Sequence, residues 1–126
     1  DSGPYVQYTH ARANSVIEKA KKANIKASVK KIPEKVGDVE KILERFPEVV
    51  ARAYTEQEPH YITTYLTELA GAFNTFYAKE RIVPVLSEAE VDGGEDAPYR
   101  LALTEAVSIV LKNGLWLLGI EAPERM

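Results

Sequence analysis

Apolar positions form their longest regular pattern in residues 60–80. Apolar side chains recur there at spacings of three and four residues, which predicts one amphipathic helix with a continuous apolar stripe. Its members are Ile62, Tyr65, Leu66, Leu69, Phe73, Phe76 and Tyr77. Pro59 suits the first turn, where a missing N–H costs nothing, and Val83-Pro84 lies beyond the expected end of the helix.

A second long helix is predicted over residues 98–120. Asp96 is expected to cap its start and Gly119 to end it. Gly114 costs about 1 kcal/mol relative to Ala inside a helix, so we expect a neighbouring helix to approach closely there. The apolar stripe consists of Leu103, Val107, Val110, Leu111, Gly114, Leu117 and Leu118.

The remaining pattern predicts one more long helix and two short ones. The first helix runs from about Tyr5 to Ala23, and residues 24–37 read as a connection. Asp38 is expected to cap one short helix and Pro47 to start the other, while residues 87–97 form an acidic loop. The inward positions of the first helix are Val6, Ala13, Val16, Ile17 and Ala20. The prediction is an all-α bundle of about five helices, built as a single domain over residues 1–126.

Composition narrows the classes of function. The 126 residues include no cysteine and two histidines far apart in sequence, which excludes disulfides and makes a structural zinc site improbable. No apolar run approaches the roughly 20 residues of a membrane span. No signal peptide is visible, so we expect no membrane partner and a cytoplasmic location.

The charge is unevenly distributed along an acidic chain. The formal net charge is −3, which alone argues against a nucleic-acid binder. Residues 1–31, however, contain seven Lys or Arg side chains and two acids, so a local positive field is possible. A solvated helix face is the alternative interpretation of the same lysines.

Signatures of catalysis are weak. Gly93-Gly94 lacks the pattern of a phosphate-binding loop. Ser15 and His10 are five residues apart on one helix and therefore lie on different faces. We assign no catalytic residue and no metal ligand in this chain.

The first helix carries a polar and aromatic stripe. Tyr5, Tyr8, Arg12, Ser15 and Lys19 follow one another at three or four residues. An aromatic ring beside cations suits single-stranded nucleic acid, because a base stacks on the ring while the cations meet phosphate. Alternatively, the tyrosines pack on a neighbouring helix and Arg12 pairs with an acid.

Two further groups are candidates for contacts. Asn74 and Tyr77 lie beside the stripe of the helix at 60–80, with Lys79 and Arg81 just beyond. Trp116 points away from the stripe of the last helix, which marks either a contact surface or a second packing face shared with Ile109 and Ala102.

Three segments in order resemble class I arginyl-tRNA synthetases. GPYVQYTHARANS (3–15) resembles the junction at which that family leaves its catalytic core and enters its C-terminal domain. RFPEVVARAYTEQEPHYITTYLTELAGAFNTFY (45–77) resembles the middle of that domain. VLKNGLWLLGIEAPERM (110–126) resembles its end, where the family typically finishes on Glu-Arg-Met.

The resemblance implies a helical anticodon-binding domain of the DALR type. Its partners would be the anticodon stem-loop of tRNA(Arg) and the catalytic domain of the same chain, in a monomer. The full enzyme would be an arginine–tRNA ligase that uses ATP and magnesium, and the binding sites for both would lie outside this segment. This segment would position tRNA and carry no cofactor.

The resemblance also implies residue roles. Tyr8 and Tyr77 would contact the anticodon loop, Arg12 the RNA backbone, and Met126 would close the surface. These points can meet only if the first, fourth and last helices are neighbours. Arg81 stands where some relatives have an aromatic residue. Trp116 occupies a position that is usually charged, so we list it with Lys19 only as a possible contact.

A protein-docking module with no direct RNA contact is the alternative function. Under this interpretation Tyr5, Gln7 and His10 on the first helix face the missing catalytic domain. His10 is otherwise interpreted as a hydrogen-bonded structural residue.

Overall fold

Five helices make up the regular structure of the described part of the chain. The computed structural model describes residues 2–80 and 96–126. The helices are α1 (Ser2–Lys22), α2 (Asp38–Glu44), α3 (Phe46–Glu56), α4 (His60–Lys79) and α5 (Ala97–Leu117). The all-α prediction is confirmed, and the connection between α1 and α2 contains no helix or strand. Most of the predicted acidic loop, and Arg81, lie outside the described residues.

The core lies where α1, α4 and α5 meet. Each of these three helices packs on the other two, while α2 and α3 cover the other side of α4. Leu69 and Phe73 of α4 and Val107 and Leu111 of α5 are fully buried. The condition for Tyr8, Tyr77 and Met126 to meet, that the first, fourth and last helices are neighbours, is therefore fulfilled.

α5 packs tightly against α4 at Gly114. A Cβ atom built at this glycine would lie 2.5 Å from Cδ2 of Leu66, well inside van der Waals distance. The glycine therefore permits the close approach of α4 that its place on the buried stripe predicts.

The apolar stripe of α5 departs from the sequence prediction near its end. Leu115 is buried, whereas Leu117 is 45% exposed. α5 has three neighbouring helices in the bundle. Its buried face therefore also includes Thr104 and Ser108 and is wider than one apolar stripe. A pattern built on apolar residues alone misses this width.

Two predicted helix caps are wrong in detail. Gly37, one residue before Asp38, is the N-cap of α2, and its N–H donates to Oε1 of Glu40 at 3.0 Å. Asp96 does occupy the N-cap position of α5, but its side chain makes no capping hydrogen bond. Its carboxylate lies 3.8 Å from the guanidinium of Arg100 instead.

Candidate RNA-binding cleft

A cleft of about 820 Å³ lies between α1, the end of α4 and the C-terminal segment (residues 118–126). The tyrosines that border it come from two different helices, and the remaining wall is the end of the chain. The lining residues are Tyr8, Ala11, Arg12, Asn14, Ser15, Ile17, Glu18, Lys19, Lys21, Lys22, Tyr77, Glu124, Arg125 and Met126. Tyr8, Arg12, Tyr77 and Met126, predicted from distant parts of the sequence, are therefore brought together.

Gly119 turns the C-terminal segment back along α1. Its φ of +77° lies in the left-handed region, which glycine adopts without strain. Its N–H donates to the carbonyl of Trp116 at 2.9 Å, and the N–H of Ile120 donates to that of Leu115 at 2.9 Å. This helix end sends the chain toward the first turns of α1.

Two side chains of α1 hold the returning segment. Nε2 of Gln7 donates to the carbonyl of Glu121 at 2.9 Å. Nδ1 of His10 donates to the carbonyl of Pro123 at 3.0 Å, since a carbonyl oxygen can only accept. These bonds fix the backbone just before Met126 and so determine where the last side chain enters the cleft.

His10 is a structural residue of this contact. Its ring is 1% exposed, and its Nε2 is buried without a hydrogen-bond partner among the described residues. Burial lowers the pKa of His10 below its usual value, a shift that the bond to Pro123 opposes. The ring is covered by this chain's own C-terminal segment, and a contact of His10 with the catalytic domain stays a prediction.

Arg12 lies between the two tyrosine rings of the cleft. Its guanidinium carbon is 5.2 Å from the ring centroid of Tyr8 and 4.6 Å from that of Tyr77. Nη2 also donates to the hydroxyl of Tyr8 at 3.2 Å, and Nη1 donates to Oδ1 of Asn74 at 3.0 Å. The expected acidic partner of Arg12 is replaced by an amide and two aromatic faces. A direct contact of Arg12 with RNA stays a prediction.

Asn74 is the centre of a hydrogen-bond network behind the cleft. Its Oδ1 accepts from Arg12, while its Nδ2 donates to the hydroxyl of Tyr5 at 3.1 Å and to Oγ1 of Thr9 at 3.0 Å. Thr9 in turn donates to the backbone carbonyl of Tyr5 at 3.0 Å. The amide thereby links α4 to three side chains of α1 and holds Arg12 in place.

The remaining predicted site residues divide between the cleft and other surfaces. Lys19 lines the cleft, whereas Lys79 is exposed at the end of α4 and is not among the lining residues. Tyr5 is 38% exposed, although its hydroxyl already accepts from Asn74. Arg81 lies outside the described residues.

Trp116 belongs to a different surface. It is 76% exposed and lies beside a groove of about 500 Å³ that runs between α5 and the C-terminal segment. Of the two interpretations of Trp116, the second packing face shared with Ile109 is wrong because Ile109 is also mostly exposed. The bundle has no further helix on this side of α5 among the described residues.

The cleft carries more positive than negative charge. Five cationic and two acidic side chains line it, a surplus of three on a chain whose formal net charge is −3. Sequence reasoning missed Lys21, Lys22 and Arg125. The spacing of Lys22 from Lys19, three residues on one helix, could have shown that it continues the same stripe.

The cleft offers surfaces suited to stacking and to phosphate. Tyr8, Tyr77 and Met126 remain 48%, 36% and 68% exposed, so part of each apolar surface faces the opening. Within residues 2–80 and 96–126, no three His, Asp or Glu side chains group as a metal site requires. None of the helices described here combines the length and the apolar character needed to cross a membrane. Aromatic faces beside cations can hold unstacked bases and their phosphates.

The chain belongs to the DALR anticodon-binding domain family. The profile of that family, the "DALR anticodon binding domain", matches residues 6–126. The chain is similar to arginine–tRNA ligases of Lactococcus lactis, 46% identical over 131 residues, and of Pyrococcus furiosus, 41% identical over 135 residues. Both matches cover 100% of this chain and 21% and 20% of those proteins.

A solved structure gives the same result for the fold. The arginyl-tRNA synthetase of Thermus thermophilus superposes with a TM-score of 0.71 at 33% identity, over 98% of this chain and 21% of that one. The resemblance to arginyl-tRNA synthetases that the sequence motifs indicate is confirmed. The chain spans about a fifth of the length of these relatives.

Proposed function

We propose that this chain is the anticodon-binding part of an arginine–tRNA ligase and that its cleft holds the anticodon stem-loop of tRNA(Arg). One observation carries the proposal. Tyr8, Tyr77 and Met126 lie up to 118 positions apart in the sequence and line one cation-rich cleft in a member of the anticodon-binding family.

The residues have distinct roles in this proposal. The exposed faces of Tyr8 and Tyr77 stack on unpaired bases of the loop, and Met126 closes the surface from the C-terminal side. Base–aromatic stacking contributes about 1–3 kcal/mol per base, so two rings suffice for a weak site. Arg12 and Asn74 hold the rings in position. Lys79, at the end of α4, and Arg81 contact RNA.

The proposal extends to the parent protein. Arginine activation with ATP and magnesium, and transfer of arginine to tRNA, take place in the part of the ligase outside this chain. The chain positions tRNA for that reaction and holds no cofactor of its own. We place the parent ligase in the cytoplasm as a monomer.

The location of bound RNA is the direct test of this function. The isotope-labelled chain is titrated with the anticodon stem-loop of tRNA(Arg), and backbone and side-chain resonances are followed by NMR. The proposal expects shifts concentrated on Tyr8, Tyr77, Met126 and Lys19. Tyr54, 85% exposed on α3 and outside the cleft, is the internal control and is expected not to shift.

Shifts spread over α3, or restricted to Trp116 and its groove, would remove the cleft from the RNA site. The same labelled sample and a stem-loop of unrelated sequence reveal whether binding depends on the loop bases. Equal shifts with both RNAs would leave a general RNA-binding surface and contradict anticodon recognition.

Docking on the catalytic domain of the same ligase is the second candidate function. The exposed Trp116, with Leu117 beside it at the end of α5, favours it, because large apolar side chains at such exposure are typical of contact surfaces. The test adds the separately produced catalytic domain to the labelled chain. Shifts of Trp116 and no shifts of Tyr54 support docking, and an unchanged Trp116 indole signal contradicts it.

A further inference from the structure

Three lysines occupy the end of the cleft that lies away from the tyrosines. Tyr8, Ser15, Lys19 and Lys22 lie on one face of α1, at spacings of seven, four and three residues. At 1.5 Å per residue, Lys22 is about 21 Å along the helix from Tyr8. Lys21 lines the same cleft. Its aromatic residues, Tyr8 and Tyr77, are both at the other end.

These ammonium groups are available to a ligand. Lys19, Lys21 and Lys22 are exposed, and the ammonium group of none of them forms a hydrogen bond or an ion pair in the structure. Glu18 and Glu124 also line the cleft, but neither lies within ion-pair distance of a lysine. The exposed hydroxyl of Ser15 lies between the tyrosine end and the lysine end and can donate to a phosphate oxygen.

We propose that Lys19, Lys21 and Lys22 form a site for the phosphodiester backbone of the RNA whose bases stack on Tyr8 and Tyr77. The inference rests on the proposed function and adds a direction to it: the RNA lies along α1, with bases at its first half and backbone at its last turn. The ligand is identified by its chemistry, a row of phosphates continuous with unstacked bases.

A lysine contact to phosphate has two measurable consequences. Each contact releases counterions, so the logarithm of affinity falls with the logarithm of salt concentration by about 0.7 to 0.9 per phosphate. Such contacts also carry no base information, so their loss weakens binding to all sequences about equally. Loss of a stacking residue differs in the salt dependence, because it removes no phosphate contact and leaves the slope unchanged.

The experiment compares two triple variants with the same change in charge. The first replaces Lys19, Lys21 and Lys22 by Gln, which keeps helix propensity nearly constant. The control replaces Lys35, Lys41 and Lys112 by Gln, three exposed lysines that do not line the cleft. Affinity for the anticodon stem-loop is measured for each at several salt concentrations.

The cleft variant is expected to lower the magnitude of the salt slope by about two and to weaken all loop sequences by the same factor. The control variant is expected to keep the wild-type slope. The same measurement is made with a single-stranded RNA of the loop sequence. If the cleft variant binds both RNAs more weakly, the phosphates lie in the loop. If it binds only the stem-loop more weakly, the phosphates lie in the stem.

Equal slopes for the two triple variants would overturn the inference. The lysines would then only offset the dipole at the C-terminal end of α1, and thermal unfolding would register their loss instead. Failure of the proposed function looks different: Tyr8→Ala and Tyr77→Ala would then leave affinity unchanged. If wild type binds neither RNA, both the inference and the proposed function fall.

Discussion

The guanidinium carbon of Arg12 on α1 lies 4.6 Å from the ring centroid of Tyr77 on α4. The same group is 5.2 Å from the ring of Tyr8 and is fixed by a hydrogen bond to Asn74. One cation therefore contacts two rings that belong to different helices. The arrangement of the rings in the cleft thus depends on the packing of α1 against α4 as well as on the side chains exposed at the surface.

Replacing Arg12 by Met is expected to separate the two rings without removing either. Loss of two cation–π contacts of about 0.5–1 kcal/mol each lowers the free energy of unfolding by about 1–2 kcal/mol. Affinity for the anticodon stem-loop is expected to fall about tenfold, because the rings no longer hold their stacking separation. Urea unfolding and an RNA titration measure the two effects.

Arg52→Met is a matched control for this change. Arg52 on α3 lies 4.2 Å from the ring of Tyr61 and bonds Glu56, so its loss removes the same kinds of contact far from the cleft. It is expected to lower stability and leave RNA affinity unchanged. An equal loss of affinity in both variants would show that Arg12 acts only through overall stability.

Gly114→Ala is expected to destabilise the fold, and Gly71→Ala is not. A Cβ at Gly114 meets the buried Leu66 at 2.5 Å, and overpacking of this kind costs about 1–3 kcal/mol. A Cβ at Gly71 has its nearest neighbour, the hydroxyl of Tyr5, at 3.9 Å. There the gain in helix propensity, up to about 1 kcal/mol, remains.

Thermal or urea unfolding of these two glycine variants checks the packing of α4 against α5. Opposite signs of the change in unfolding free energy support the close approach. A neutral Gly114→Ala would mean that Leu66 moves aside without cost.

His10 makes stability depend on pH. Burial lowers the pKa of His10 in the folded state, so the unfolded chain binds a proton first as the pH falls through about 6.5. The free energy of unfolding therefore decreases as the pH falls from about 6.5 to the folded-state pKa. Below that pKa, protonation of His10 lowers it no further. Protonation also gives Nε2 a proton with no acceptor beside it.

Urea unfolding between pH 7.5 and pH 5 measures this contribution. His10→Gln is expected to lose part of the decrease seen in wild type, whereas His60→Gln retains His10 and is expected to keep it. His60 is exposed on α4 and pairs with Glu58, away from the C-terminal segment. Identical pH profiles for wild type and His10→Gln would contradict the assignment.

Much of the fold could be predicted from the sequence, because helical periodicity is a local property. The stripe of α4, the turn at Gly119 and the close approach at Gly114 all follow from residues within a few positions of one another. Helix caps were harder: Gly37 caps α2 although Asp38 has the preferred side chain. Moving the N-cap by one residue leaves the helical spacing of the apolar residues unchanged, so the spacing does not indicate which residue is the cap.

The assembly of the site could be predicted only through the family resemblance. Tyr8, Tyr77 and Met126 converge because the chain turns at Gly119 and is held by Gln7 and His10. No periodicity in the sequence reports a contact between residues more than 110 positions apart. The sequence also left the exposure of Trp116 open, because it depends on which side of α5 lacks a neighbouring helix.

The affinity of the anticodon stem-loop of tRNA(Arg) for Tyr8→Ala and Tyr77→Ala is the measurement that tests the RNA-binding cleft most directly. Each substitution is expected to weaken binding by about 1–3 kcal/mol, roughly five- to 150-fold, and the corresponding Phe variants to retain most of it. Tyr54→Ala, on the exposed face of α3, is expected to bind like wild type. Wild-type affinity in both cleft variants would contradict the assignment of this cleft to the anticodon loop.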